Sequence, residues 1–466
     1  MTKRIFRLSV LFVMLSGILA AQEEEISNNQ ETENTENVFS LQEAIEYGLE
    51  NAYRSIIAQK EIAKTLKQKW EIIAEGLPQI SAEANYTNNL VQPVTLLPGS
   101  IAGGEPGTFV PVTFGTEQTL IADATWNQLL FDGSYIVGIQ SAKTLLQITE
   151  NQKIKTDLEV KQSITDAYGN VLLAQESTEI SRRNVETIEK NLRETRIIYE
   201  NGLTELEDVE QLEITLLNQK SALNNAVRML EVAYDMLKMN MGIPVEQKIY
   251  TTNDLDEISQ KNLQLLLLSQ DYDVSKNIEY RIAEDQTSLA EVEVKLEKSK
   301  ALPTLSAFVN YGVQGNSSAF TFFNDNQEYF DQSILGVNLS VPIFSSGMRS
   351  ARTAQKKIAL EQAELELEQT KNQVVLDIER ARNEYIFAIE NLENKEQALA
   401  LAERIENKNQ IKFFEGIATS FELSDAQQQL FQSQREYLEA MLDVITSKSA
   451  LEKLLDDTTY NEYQND

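Results

Sequence analysis

The sequence predicts a mainly helical protein with a small β part, in which one helix-strand-strand-helix unit occurs twice. Gly133 and Gly347, which open two long helical runs, are 214 residues apart, and so are Gly202 and Gly416, which interrupt those runs. The chain has only 8 prolines and 18 glycines, so few residues end its helices. Because each unit has only two strands and very long helices, it cannot bury its apolar stripe alone. We therefore expect the chain to pack against other copies.

The amino-terminal segment has the features of a secretory signal. A basic stretch at residues 3–7 precedes an apolar run that ends at Ala21 and is too short to span a bilayer. We predict a signal peptide at residues 1–21 and a flexible acidic leader at residues 22–38, which is rich in Gln, Glu and Asn. No cysteine follows the cleavage region, which excludes a lipid anchor on an amino-terminal cysteine.

The composition excludes most kinds of catalytic site. The 466 residues include no cysteine and no histidine, so the commonest general base and the main ligands of transition metals are missing. Acidic residues outnumber basic ones by 72 to 41, and the resulting net charge of −31 makes nucleic acid an unfavourable partner. We therefore expect no metal site and no cofactor, and no recognisable catalytic spacing gathers the remaining carboxylates, Lys and Tyr.

Four segments of alternating apolar and polar residues predict strands. They lie at about 79–91 and 119–131 in the first unit (39–244), and at about 304–314 and 333–344 in the second (265–456). This alternation is typical of a strand with lipid on one face and water on the other, and equally of a half-buried soluble hairpin. Four strands cannot close a barrel, since the smallest have about eight, whereas three copies of the chain would supply twelve.

The two long runs, Gly133–Asn201 and Gly347–Glu415, predict helical rods of about 100 Å. The second contains apolar residues at alternating spacings of four and three, which is the seam of a coiled coil: Val374, Ile378, Ala381, Tyr385, Ala388 and Leu392. Helices from about Glu205 and Phe421 return along the rods. A linker at 245–264 joins the units, and a tail at 457–466 follows the second.

Several motifs occur in both units in the same order. They are Leu77-Pro78 and Leu302-Pro303 before the strands, Phe131 to Ser134 and Pro342 to Gly347 after them, and the turn segments Tyr199 to Val209 and Phe413 to Leu423. From about Phe39 to Leu455 the chain resembles the TolC family of outer membrane efflux and secretion channels.

The resemblance implies a homotrimer in the bacterial outer membrane, with a 12-stranded β-barrel joined to a trimeric α-barrel tunnel that projects into the periplasm. The implied function is a passive conduit in a tripartite efflux or type I secretion system. The implied partners are outer membrane lipid, a periplasmic adaptor and an inner membrane pump driven by protons or ATP. The cargo and the class of pump stay open.

The resemblance also implies sites at the far end of the tunnel. The turns that would dock the adaptor contain Gly202, Leu203, Thr204, Gly416, Ile417 and Ala418. Family members narrow the tunnel with acidic residues at the positions of Glu422 and Asp425, and threefold symmetry would bring six carboxylates together. A structural role is equally open for Glu422, because Thr419 with Glu422, like Thr204 with Glu207, has the spacing of a helix capping box.

One departure from the family concerns the closed state. In the best-studied member, an Arg and a Tyr near the second turn bond to a neighbouring Asp and hold the tunnel shut. This chain has Ala418 and Phe413 at those positions, and only the Asp has a match, Asp208. We do not expect the same lock, although Asp208 remains a candidate contact.

Two other classes of function stay open at this stage. A secreted coiled-coil rod or adaptor could use the strands as soluble hairpins, and extraction without detergent would identify it. A carboxylate-based hydrolase would need a pair of acids in a pocket, whereas the acidic residues here are spread along helix faces.

Overall fold

The structure is a computed structural model that describes residues 37–261, 263, 268 and 272–455. The predicted signal peptide, most of the predicted leader and the predicted tail at 457–466 lie outside these residues. The strands are β1 (Asn37–Phe39), β2 (Gln79–Asn88), β3 (Val94–Pro98), β4 (Phe109–Thr113), β5 (Gln118–Asp132), β6 (Ile249–Thr251), β7 (Thr304–Ser317) and β8 (Tyr329–Ser340). The helices are α1 (Leu41–Asn51), α2 (Tyr53–Glu75), α3 (Gly99–Ala102), α4 (Gly133–Glu200), α5 (Leu206–Met241), α6 (Leu255–Lys261), α7 (Ile278–Ser299), α8 (Met348–Phe414) and α9 (Ser420–Leu455).

Four strands form one antiparallel sheet in the order β2-β5-β7-β8. The central pair, β5 and β7, joins the two repeated units, and β2 and β8 are the edges. A second, two-stranded sheet of β3 and β4 lies in the loop between β2 and β5, together with the short helix α3. These two short strands are additional to the four strands that the sequence predicted.

The register of the sheet separates its two faces. Residues paired across the strands share a face, and one face is mostly apolar: Ile80, Ala82, Ala84, Tyr86, Leu120, Ala122, Ala124, Trp126, Val309, Tyr311, Val313, Leu335, Val337 and Leu339. The other face is mostly polar, and its side chains bond to one another, as when Asn310 donates to Thr125 at 2.8 Å and to Asp123 at 3.0 Å.

The predicted and observed strand ends differ by a few residues. The last strand was predicted to reach residue 344, but β8 ends at Ser340, two residues before Pro342, which has no N–H to donate to a neighbouring strand. The preceding strand, β7, extends to Ser317 because Gln118 and Thr119 of β5 continue to pair with it.

The long helices form two hairpins that pack side by side. α4 packs against α5 and α8 against α9, and α9 also contacts α4. The largest core joins α1, α4, α5 and α9 around the buried Tyr168 and Leu237, while a second core lies between α8 and α9. Five of the six residues of the predicted coiled-coil seam, from Val374 to Ala388, are buried, and Leu392 packs against both cores.

The region between the two units is more ordered than the sequence predicted. β1 pairs in parallel with β6, so Asn37 and Val38, at the end of the segment predicted as a flexible leader (22–38), belong to a strand. The predicted linker (245–264) contains β6 and α6. The buried Tyr168 of α4 holds this region, because its hydroxyl donates to the Phe39 carbonyl at 2.9 Å.

Among the residues that the structure describes, every helix is too short or too polar to cross a membrane.

Candidate functional site at the helical tip

The two hairpins end in turns at residues 201–205 and 415–419, and we call these turns with the adjoining helix ends the tip. In each turn a glycine follows the helix in the left-handed conformation, Gly202 with φ +74° and Gly416 with φ +71°. The next residue closes the helix, since Leu203 N–H donates to the Ile198 carbonyl at 3.1 Å and Ile417 N–H to the Lys412 carbonyl at 2.8 Å. Both turns are Schellman motifs, so the duplication seen in the sequence extends to the hydrogen bonds.

A small apolar core holds the two hairpins together at the tip. It consists of Leu192, Val209, Leu212, Phe413 and Leu423, which come from α4, α5, α8 and α9. Phe413, at the position where a family member has the locking Tyr, has no hydroxyl, and its ring packs against Phe414 with centroids 5.5 Å apart. Its contribution within one chain is therefore packing.

Asp208 connects the two hairpins through a hydrogen bond. Its Oδ1 accepts from the backbone N–H of Ser420, the first residue of α9, at 3.3 Å, and its Oδ2 accepts from the hydroxyl of Thr204. The first N–H groups of a helix have no partner within the helix, and a negative charge there is favourable. The predicted tip contact at Asp208 is thus, within one chain, a cap on the other hairpin.

The pKa of Asp208 reflects these contacts. Partial burial raises the pKa of the carboxyl, but hydrogen bonds from Ser420, Thr204 and the N–H of Glu205 outweigh that effect and bring it below the ordinary value of 3.8. Asp208 is therefore charged at neutral pH.

Only one of the two predicted capping boxes forms. At the start of α9, Glu422 accepts from Thr419 N–H at 2.8 Å and Glu422 N–H donates to the Thr419 hydroxyl at 3.3 Å. At the start of α5 the prediction was wrong, because Thr204 donates to Asp208 instead of completing a box with Glu207. Glu207 is exposed.

The candidate aperture residues lie on the exposed face of α9. Glu422 and Asp425 are both exposed, while the residues between and beside them, Leu423, Ser424 and Ala426, are buried. The hydrogen bonds from Thr419 lower the pKa of Glu422 below its ordinary value of 4.5. Within one chain, this face of α9 therefore presents acidic side chains to solvent. Glu422 in addition caps the helix to which it belongs.

The end of the tip is apolar and exposed. Leu203 is 78% exposed and Ile417 is 70% exposed, and they occupy equivalent positions, one after each turn glycine. Since the Schellman bonds fix the backbone of both residues, the two side chains are held outward rather than buried in the tip core.

Sequence reasoning missed a polar seam between the two hairpins. Asn184 donates to Gln434 at 2.9 Å, Gln410 donates to Asn191 at 3.0 Å, and the hydroxyls of Thr215 and Ser424 lie 3.0 Å apart. The signal was present in α4, where residues 184, 188, 191 and 195 have coiled-coil spacing but three of the four are polar.

Comparison with known proteins identifies similar channels. The model of the outer membrane efflux protein family matches residues 277–456. The chain is 25% identical over 344 residues to the outer membrane protein TolC of Vibrio cholerae serotype O1, a match that covers 70% of this chain and 74% of that protein. The carboxy-terminal part of the chain thus matches the outer membrane efflux protein family, and the chain as a whole is similar to TolC.

Two further likenesses agree with this assignment. The chain is 22% identical to the alkaline protease secretion protein AprF of Pseudomonas aeruginosa over 62% of this chain and 59% of that protein. The crystal structure of CusC, reported for its transmembrane channel formation, aligns with a TM-score of 0.69 over 89% of this chain and 92% of CusC. Since that pair is only 15% identical, it shows the fold alone.

These similarities confirm two predictions made from the sequence. The chain is an outer membrane channel component of efflux or secretion machinery, and it is not an enzyme. The alternative of a secreted rod or adaptor is not supported.

Proposed function

We propose that three copies of the chain close into one conduit, with a 12-stranded barrel in the outer membrane and a helical tunnel that projects into the periplasm. The observation that carries this proposal is the sheet of four strands with two open edges. Along β2 and β8 the outer N–H and C=O groups have no partner strand among the described residues. An open edge of this length is a template for pairing with another chain.

Edge pairing between copies would continue the existing sheet. The strand order of the sheet puts β2 at one edge and β8 at the other, and these two strands run in opposite directions. β8 of one copy can therefore pair antiparallel with β2 of the next copy. Two copies would give eight strands and three would give twelve. The family resemblance favours three.

The two faces of the sheet suit a membrane barrel. The apolar face defined above would contact lipid, and the polar face, with Asp123, Asn310 and Gln314, would line the water-filled interior. A soluble sheet would need another layer to cover the apolar face, yet Ile80, Leu335 and Leu339 on that face are exposed.

The helices also have uncovered apolar stripes at both sides of the chain. On α8, Leu365, Leu376 and Phe387 are exposed at spacings of 11 residues. On α5, exposed residues at spacings of three, four and three form a stripe of coiled-coil type: Met229, Val232, Met236 and Met239. A neighbouring copy would bury these stripes and turn the two hairpins into part of a closed tunnel.

The length of the helices fits a periplasmic tunnel. α4 has 68 residues and α8 has 67, so each is about 100 Å long. The tip lies at the opposite end of these helices from the sheet, and would therefore face the inner membrane. In the family-based proposal, Leu203 and Ile417 contact the periplasmic adaptor, and a pump driven by protons or ATP supplies the cargo.

An acidic aperture is part of the same proposal. If the exposed face of α9 lines the tunnel, three copies bring Glu422 and Asp425 together as six carboxylates. Such a ring favours cations over anions.

Native mass spectrometry of the full-length mature protein, extracted in detergent, tests the proposal. We expect a species with three times the mass of the mature chain, and loss of solubility when the detergent is removed. A monomer that stays soluble without detergent would contradict the proposal, because its apolar faces would then have to be covered within one chain.

A further inference from the structure

The loop between β7 and β8, residues 318–328, carries three phenylalanines, two of which reach across the sheet to the distant edge strand β2. Phe320 and Phe322 contact Tyr86 of β2, with ring centroids 5.5 and 5.8 Å apart. Phe320 also contacts Phe322 at 5.6 Å and Phe323 at 5.8 Å. We call these four residues the aromatic cluster.

The cluster lies on the apolar face of the sheet. Tyr86 belongs to that face, and across the register Tyr86 aligns with Leu120, Gly315 and Tyr329. A Cβ built on Gly315 would point toward the same face, and it would lie 3.3 Å from the Phe322 ring and 2.8 Å from the Tyr329 ring. Both rings therefore rest on the backbone of β7, at a position where only glycine leaves room for them.

The loop has a defined shape of its own. The Tyr329 hydroxyl donates to the Phe322 carbonyl at 2.6 Å, and the Thr321 hydroxyl donates to Gln327 Oε1 at 2.7 Å. Gln327 in turn donates to the Asn316 carbonyl at 3.3 Å, which ties the loop to the end of β7. These hydrogen bonds fix the loop so that Phe322 points toward the sheet, while Phe320 and Phe323 point toward solvent.

The two outward rings are largely exposed to solvent. Phe322 is 3% exposed, whereas Phe320 is 59% exposed and Phe323 is 85% exposed. Polar residues follow immediately, with Asn324, Asp325 and Asn326 all exposed. The loop thus has an apolar side continuous with the apolar face of the sheet and a polar tip next to it.

We propose that this loop is a membrane anchor, in which Phe320 and Phe323 insert among the lipids at the outer boundary of the bilayer while Asp325 stays in water. The inference rests on the proposed function, because it needs the apolar face to contact lipid. Lipid is the occupant that the geometry favours, since the exposed rings extend that face rather than the polar interior. Girdles of aromatic residues flank the apolar band of membrane β-barrels at both interfaces.

Site-directed spin labelling tests the anchor without interference, because the chain has no native cysteine. Four single variants of the full-length mature protein, Phe320→Cys, Phe323→Cys, Asp325→Cys and Tyr311→Cys, are labelled with a nitroxide and reconstituted in phosphatidylcholine vesicles. Collision rates with oxygen, which concentrates in lipid, and with a water-soluble nickel chelate are then compared. Tyr311 lies in the middle of β7 on the apolar face and reports on the proposed function itself.

We expect the ratio of oxygen to nickel collisions to be several-fold higher at positions 320 and 323 than at 325, and highest at 311. A lipid signal at 311 with a water signal at 320 and 323 would overturn the anchor and leave the proposed function intact. Labels at 320 and 323 shielded from both reagents would show a protein contact, which also overturns the anchor. A water signal at 311 would overturn the proposed function and the anchor with it.

Discussion

Asp208 of α5 accepts a hydrogen bond at 3.3 Å from the backbone N–H of Ser420 of α9, across 212 residues of sequence. The carboxylate serves as a cap for a helix in the other hairpin, and it receives a second bond from Thr204 in its own turn. One side chain thereby links both turns of the tip. Because the tip core is small, we expect this link to control the local opening of the tip.

Replacing Asp208 with Ala should loosen the tip. Loss of a capping side chain costs about 1 kcal/mol, so the amide of Ser420 should exchange with solvent about fivefold faster. Hydrogen exchange followed by mass spectrometry measures this rate. Glu207→Ala is the matched control, since it removes a neighbouring exposed carboxylate that makes no capping bond, and equal effects of the two variants would show that Asp208 has no special role.

The contribution of Asp208 should depend on pH. A carboxyl whose folded-state pKa is depressed stabilises the fold above its ordinary pKa, here 3.8, and loses that contribution as the pH falls through the folded-state pKa. Protection of the Ser420 amide, compared between wild type and Asp208→Ala, should therefore differ at neutral pH and converge in acid. If the two proteins still differ equally in protection of the Ser420 amide below the folded-state pKa of Asp208, this account is contradicted.

Charge and capping can be separated at Glu422. Glu422→Gln keeps a side-chain oxygen that can accept the hydrogen bond from Thr419 but removes the negative charge. Glu422→Ala removes the hydrogen bond and the charge together. If the carboxylates line an aperture, Glu422→Gln combined with Asp425→Asn should bring the cation preference of single channels in planar bilayers toward parity. Unchanged selectivity in this double variant would leave Glu422 with the capping role alone.

The turn glycines give a test of backbone conformation. A Cβ at Gly416 meets no atom within 4 Å, so the cost of Gly416→Ala comes only from its φ of +71° and should be about 1–2 kcal/mol. Gly138→Ala in α4 is the matched control, because its Cβ would meet only Ile72 at an ordinary 3.9 Å. That change should stabilise the protein by about 0.4–1 kcal/mol. Thermal unfolding midpoints in detergent should move in opposite directions.

The stability of the fold should also depend on pH through Asp166 in α4, with a sign opposite to that at Asp208. Burial raises the pKa of Asp166 from 3.8 to about 6, and attraction to Lys453 offsets only part of this effect. Its Oδ1 has no hydrogen-bond partner among the described residues. A carboxyl with a raised folded-state pKa favours the fold most below 3.8, and this benefit is lost as the pH rises through about 6.

Asp166→Asn should therefore raise the unfolding midpoint at neutral pH and have little effect at pH values near 3.8. Glu186→Gln removes an exposed carboxylate from the same helix and serves as the control for the change in net charge. If both variants shift the midpoint equally at neutral pH, the burial of Asp166 has no measurable cost.

The features that the sequence predicted correctly are those that depend on the local pattern of residues. The heptad seam from Val374 to Leu392, the turns at Gly202 and Gly416 and the alternating faces of the strands follow from spacing and from the special conformations of glycine. These features need no knowledge of which elements meet in space.

What the sequence did not show depends on contacts between the two units. The capping box predicted for Thr204 and Glu207 fails because Asp208 is placed where it reaches both Thr204 and α9. The contact of the loop phenylalanines with Tyr86 depends on the register of the sheet, in which Tyr86 and Gly315 lie on either side of Leu120 of β5. Such contacts join residues that are far apart in sequence, and spacing cannot predict them.

Folding and assembly should respond to different residues of α8. Tyr385 is fully buried between α8 and α9, so Tyr385→Ala should cost about 3–5 kcal/mol and lower the thermal unfolding midpoint. Leu376 and Phe387 are exposed on the chain, so changing both to Ala should leave the chain folded but weaken the trimer on native gels. Equal trimer content in that double variant and the wild type would show that this stripe is not an interface.

The central claim is that edge strands of neighbouring copies pair to close the barrel, and cysteine cross-linking tests it most directly. Ser81→Cys on the polar face of β2 is combined in turn with cysteine at Ile334, Gly336, Asn338 or Ser340, which share one face of β8. Paired strands bring Cα atoms within the 4.4–6.8 Å that a disulfide needs. We predict that at least one combination gives a covalent trimer on non-reducing gels, while Ser81→Cys alone gives none. If every combination stays monomeric under oxidising conditions, the two edges do not meet and the account is contradicted.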